Sequence, residues 1–240
     1  MDTQPTRNLL RWGGWGALFA AAAFLVTLLY VFVFLVSMGL TEEMLDTPAQ
    51  LLPWVATHTN AYNGIYWIFL SSVIALLPTP LAIYRWLKPH NPVLAQIGVA
   101  AGLIGVTLAM IGPLVNVGIT GILARASVAA TVEPATLSLL SEIVGEMGLL
   151  LRLSADLFLG IWLGLTGIIL IGRAGPNRWL GWYNALLALL IFLVVVGKAL
   201  TLFDLEPVLG LFLALAYGWV GLVLLRKETA MRVLQAEGRL

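Results

Sequence analysis

The stretch WGGWGALFAAAAFLVTLLYVFVFLVSMGLT, residues 12–41, carries no charged side chain along its whole length. A helix needs about 20 apolar residues to cross a hydrocarbon core about 30 Å thick, so this run alone suffices for one membrane span. Arg7 and Arg11 precede it and small residues follow near Ser37, as in a secretory leader. The run exceeds the roughly 7–15 residues of a leader's apolar core, so it reads as a retained anchor.

Outward from this segment the pattern repeats. Between Asp46 and Arg85 the only titratable cation is His58, and between Lys88 and Arg125 it is His90. Shorter apolar runs follow at Leu157–Gly172, Trp179–Gly197 and Pro207–Leu225. The first of these spans a bilayer only if its helix extends upstream past Asp156 and Arg152. Hydropathy therefore predicts six helices, near 13–39, 62–84, 92–124, 138–172, 179–203 and 207–226. Composition agrees, with 60% hydrophobic and 10% charged residues, against about 25% charged in a soluble domain. A transmembrane β-barrel needs alternating strands of about 10 residues instead of long unbroken apolar runs. The expected fold is an all-α, polytopic integral membrane protein: one domain over 1–240, a six-transmembrane-helix bundle.

With six spans the polar segments alternate between two sides. One side holds Arg7, Arg11, Arg85, Lys88, Arg173, Arg178, Arg226, Lys227, Arg232 and Arg239, and the other holds Arg125 and Lys198. Cytoplasmic segments carry the excess of Lys and Arg, which predicts both termini in the cytoplasm of a cell whose plasma membrane holds the chain. Glu42, Glu43 and Asp46 then lie outside. Trp12, Trp15, Trp86, Trp179 and Trp182 fall at the inner boundary and Trp54 and Trp67 near the outer one, where amphipathic rings prefer to sit.

Inner turns at 88–92 and 175–177 contain proline and turn formers, so helices two–three and four–five should form tight hairpins. The longest outer loop, 40–61, has enough apolar content around Leu51–Val55 for a short interfacial helix. Pro78, Pro80 and Pro113 are expected to kink their helices. Gly98, Gly102 and Gly105, and Gly160, Gly164 and Gly167, recur at three- and four-residue spacing, which suits close helix packing.

One polar constellation stands out. Glu142, Glu146, Arg152 and Asp156 project at roughly 0°, 40°, 280° and 320° around helix four, a single face about 120° wide. A charge facing lipid at mid-bilayer costs about 2.5–3.5 kcal/mol or more, so such a stripe turns towards the bundle, a partner or water. Arg152 is 21 residues from Arg173, about 31 Å at 1.5 Å per residue, which sets it near the outer boundary with Asp156 one turn deeper. Lys198, counted from Trp179, reaches about 28 Å. These five residues, with Asn116, Asp204 and Glu206 at similar height, form the candidate polar cluster. Its two readings are an ion-pair network pinning helix four to helix five, and a vestibule for a polar or cationic ligand or for protons through Asp156.

Other chemistry is sparse. With no cysteine there is no disulfide, thiolate metal site or cysteine nucleophile. The two histidines lie in or beside loops on opposite sides, which excludes bis-histidine haem. His58 reads as an ordinary surface residue beside Thr57 and Thr59. Ser71 and Ser72 have no membrane base to activate them. No phosphate-binding loop or dinucleotide fingerprint occurs, and the basic residues follow topology, so nucleic acid is not an expected partner. No catalytic, metal or cofactor residues are assigned.

The segments LKPHNPVLAQIGVAAGLIGV (87–106) and GIWLGLTGIILIGRAGPNRWLGW (160–182) resemble a bacterial family of six-helix membrane proteins, the domain-of-unknown-function family four-three-eight-six. The resemblance rests on hydropathy, the Lys88-Pro89 to Asn91-Pro92 turn, and the step Pro176, Trp179, Leu180, Gly181, and it covers about residues 60–200. It implies topology and no catalytic residues, and the charged outer half of helix four departs from the family pattern. The expected role is a non-enzymatic accessory or interaction subunit of the plasma membrane, in contact with lipid and with a protein partner or copies of itself. The rival readings are a small transporter or channel built on the helix-four cluster and, less favoured, an intramembrane enzyme acting on lipid.

Overall fold

The computed structural model describes residues 3–173, 175, 177–200 and 206–237. Pro176, Asp204 and Arg239 lie outside the described residues, as do the side chains of Glu42, Asp46 and Glu206. The chain forms α1 (Thr3–Leu29), continued by a π-helical stretch Tyr30–Leu35, then α2 (Glu42–Asp46), α3 (Pro48–Thr57), α4 (Thr59–Leu76), α5 (Pro78–Leu87), α6 (Pro92–Val128), α7 (Pro134–Ile171), α8 (Arg178–Ala199) and α9 (Glu206–Ala236). No strand occurs among the described residues. Six helices are long and apolar enough to cross a membrane, with α4 and α5 forming one of them.

Local chemistry sets the breaks. Thr41 caps α2 by accepting from the Met44 amide, and Asn91 caps α6 by accepting from the Leu94 amide at 3.0 Å, with Pro92 in the first turn. Prolines also begin α3, α5 and α7, positions where a missing N–H costs nothing. Pro78 divides the second span as the sequence predicts. Pro113 does not divide α6, which runs through it unbroken.

The spans close into a ring. α1 packs on α9 and on the α4–α5 span, that span on α6, α6 on α7, α7 on α8, and α8 on α9. At the end carrying the termini, here called basal, the core is dense and includes Trp162, Leu163, Leu170, Leu180 and Leu224, each at most 1% exposed. The glycine stripes make these contacts. A Cβ at Gly102 would meet Pro80 and Trp162 at 3.0 Å, one at Gly105 would meet Leu159 at 2.9 Å, and one at Gly167 would meet the Gly181 carbonyl at 2.7 Å. Backbones this close allow the extensive van der Waals contact that holds helices together in lipid. Large apolar side chains such as Leu25, Leu29, Leu186, Phe192 and Leu222 remain exposed, as expected of a surface that meets lipid.

Several boundaries differ from expectation. α1 begins about ten residues earlier and α9 ends ten later than the apolar runs do, because their polar ends hold each other. Arg7 donates to Gln235 at 2.9 Å and lies 3.8 Å from Glu228, which accepts from Arg232 at 2.8 Å. At the opposite, distal end α6 and α7 hold 37 and 38 residues, about 55 Å at 1.5 Å per residue, and so overshoot a core of about 30 Å. α3 lies against this overshoot and builds a second core of Leu52, Val55, Tyr62, Leu123, Leu137 and Val144. Trp54 belongs to that core: it is 9% exposed and its indole N–H donates to the Met38 carbonyl at 3.2 Å. The expectation of an interfacial ring at Trp54 is therefore corrected, since the α3 fold turns it inward. His58 stacks on it at 4.7 Å.

A candidate site: the distal cavity

The basal half of the ring is filled, but the distal half holds a partly open cavity of about 650 Å³ whose wall takes residues from all six spans and Leu45 of α2. A far smaller void of about 10 Å³ beside Trp162 is the other space of note. The large cavity exists because the distal walls are lined by small or bent residues. α6 contributes Ala109, Gly112 and Pro113, α7 contributes Gly145, Gly148 and Ala155, and α9 contributes Gly210. Pro113 also has no N–H for the Ala109 carbonyl.

Three of the five candidate residues meet here. Arg152 and Asp156 on α7 and Lys198 near the end of α8 all line the cavity, and each is engaged in polar or electrostatic interaction. Asp156 acts electrostatically on Tyr217 of α9, and Arg152 on Tyr66 of α4, so the α7 charges face two other walls. Asn116 lines the same space, its amide donating to the Gly112 carbonyl at 3.1 Å and lying against Gly148. Glu142 and Glu146 do not line it. They are exposed on the distal overshoot of α7, because they lie about 80° and 120° around the helix from Arg152, while Gly145, close to the Arg152 phase, takes the lining position at that height.

The structure adds residues that spacing did not mark. Tyr66 lines the cavity and its phenol lies 3.0 Å from that of Tyr62, which in turn lies near Thr120. This polar ladder joins the cavity to the distal core. Its members sit at residues 62 and 66, one helical turn apart, the single sequence signal that could have found them. Deeper walls are apolar and aromatic: Phe24 packs edge-on against Phe69 at 5.4 Å, with Val73, Leu159 and Leu213 around them. Ser72 also lines the cavity, but its hydroxyl donates to the Phe69 carbonyl at 2.6 Å. Ser71 is exposed and donates to Ile68.

At the basal end, among the described residues outside the spans, His90 carries a shifted pKa. Surrounding chain and then the positive charges of Arg173 and Lys227 lower its pKa from 6.5. Those three residues come from the α5–α6 turn, the end of α7 and α9, so the basal ends converge there. Lys227 also lies 6.0 Å from the Trp86 ring.

A ring of six apolar helices around one amphipathic cavity of ligand size defines a polytopic helical membrane protein. The chain belongs to the family described as a domain of unknown function (DUF4386), whose model matches residues 20–227. That match reaches well beyond the 60–200 region on which the sequence resemblance rests. No curated relative and no solved structure matches the chain.

Proposed function

We propose that the chain is a non-enzymatic carrier in a bacterial plasma membrane, with both termini cytoplasmic, that takes a small molecule into the distal cavity. The supporting observation is the cavity itself: about 650 Å³, within the range of about 300–1,000 Å³ usual for ligand sites, apolar in wall with a few convergent polar groups. Intramembrane ionisable residues mark pathways for solutes or ions by default, and Arg152, Asp156 and Lys198 line this one. The asymmetry of Lys and Arg supports a cytoplasmic basal end, which puts the cavity on the external side. Acid–base catalysis finds little support, since Asp156 is the one carboxylate among the described lining residues and Ser72 donates to its own helix.

The interaction role has one observation on its side. Leu139, Ile143, Met147 and Leu150 form an exposed aliphatic stripe on the overshoot of α7, with Glu142 and Glu146 beside it, a surface of the kind that meets other proteins. Uptake decides between the two readings. Ala109→Trp fills the cavity without touching the overshoot. Uptake of components of a labelled small-molecule extract into proteoliposomes, lost on this change, supports the carrier. Uptake no greater than in protein-free liposomes sinks the carrier and leaves the interaction role.

A further inference from the structure

The cavity is sorted by depth in the way a lipid leaflet is. On α6 its wall runs from Asn116 to Val106, ten residues, about 15 Å at 1.5 Å per residue. On α1 it runs from Phe32 to Ala20, about 18 Å by the same rise. Both depths are close to half of a hydrocarbon core of about 30 Å, that is, one leaflet. On α7 the wall runs further, from Gly145 to Leu159, about 21 Å by the same rise. Arg152 stands midway along it, at head-group height with Lys198, below Gly145, Gly148 and Leu149 of the overshoot, and Asp156 lies one turn deeper. Past Asp156 the wall is mostly apolar, with Phe24, Phe69, Val73, Leu159 and Leu213 beside Ser72 and Tyr217.

Charge and volume narrow the occupant. The described lining residues include two cations and one carboxylate, a net +1, with both cations at head-group height and the carboxylate a turn deeper, which favours an anionic head. Arg152 offers a planar fork that matches a carboxylate or phosphate. Asp156 below it repels such a head and holds it at the level of Arg152. The cavity, about 650 Å³, has room for an acyl-type chain with a small head.

Resting on the carrier reading, we infer that the ligand is a single-chain anionic amphiphile, its carboxylate or phosphate head at Arg152 and Lys198 and its chain reaching to the bilayer midplane along Phe24, Phe69 and Leu213. The test uses the delipidated full chain in neutral detergent and four radiolabelled probes of equal chain length: hexadecanoate, a single-chain lysophosphatidate, hexadecanol and hexadecyltrimethylammonium. The anionic probes should bind one per chain and at least tenfold tighter than the alcohol or the cation. Preference for hexadecanoate or for the lysophosphatidate tells a free fatty acid from a lysolipid source. The double variant Arg152→Gln/Lys198→Gln should lose the tenfold preference, and Asp156→Asn should strengthen anion binding. If the double variant does not fold, Asp156→Asn carries the charge test, and weaker anion binding there overturns the inference. Alcohol or cation binding as tight as anion binding, and abolished by Ala109→Trp, overturns the anionic head while the ligand cavity stands. Absence of saturable binding for all four probes overturns both.

Discussion

The basal clamp around Glu228 makes a prediction whose sign is unusual. The Glu228 side chain is 5% exposed, while its partners Arg7 and Arg232 are 28% and 59% exposed. The buried member is the acid, and the bases can return to water. Glu228→Met keeps the volume and removes the charge. It forfeits one charge-assisted hydrogen bond, worth about 1.5–3 kcal/mol, but releases two bases able to rehydrate and buries an apolar side chain. The expected net loss is therefore only about 1–2 kcal/mol. The converse change, Arg7→Ala/Arg232→Ala, strands a buried carboxylate, which costs about 3–5 kcal/mol. Adding Glu228→Met to that double variant removes the stranded charge and should recover about 2 kcal/mol, close to the single Glu228→Met value. Reversible unfolding in mixed micelles, followed by tryptophan fluorescence, measures the three variants against the unchanged chain. If Glu228→Met proves more damaging than the double arginine change, or if the triple variant recovers nothing, the carboxylate is not the buried partner and the reasoning fails.

Two further outcomes follow from geometry. Gly167→Leu forces a Cβ to 2.7 Å from the Gly181 carbonyl and 2.8 Å from the Ala185 amide, both backbone atoms that cannot yield, so α7 and α8 should part at a cost of about 1–3 kcal/mol or more. Gly118→Ala, with nothing within 4 Å of its Cβ, should instead hold or raise the melting temperature, since alanine favours a helix by about 1 kcal/mol. The lowered pKa of His90 means that the unfolded chain binds the extra proton first, so stability is full above pH 6.5 and falls as the pH drops below it. His90→Gln should flatten that part of a pH–melting profile. An unchanged slope would mean that neither burial nor the charges of Arg173 and Lys227 act on His90.

Much of the fold is legible along the chain because each span is decided almost alone. Whether residues 12–41 enter lipid depends on their own transfer from water, and no distant residue is needed to satisfy a helical backbone. The same independence explains why the six spans and the break at Pro78 match the structure. Where polar contacts between distant residues add stability, the reading stops short. The ends of α1 and α9 look like tails until Arg7, Glu228 and Gln235 come together across the fold. Trp54 looks interfacial until α3 folds onto the α6–α7 overshoot.

The site divides in the same way. Helical phase placed Arg152 and Asp156 on one face, and depth counted from the ends placed Lys198 level with them. A face about 120° wide also drew in Glu142 and Glu146, which sit at its far edge from Arg152 and turn outward, while Gly145 lines the cavity at their height. The sequence by itself determined six apolar helices and the charges that could not face lipid. The ring order, the packed basal half and the space between six distal walls belong to the tertiary structure, because a cavity consists of what neighbouring helices leave unfilled, and no single segment encodes the shape of its neighbours.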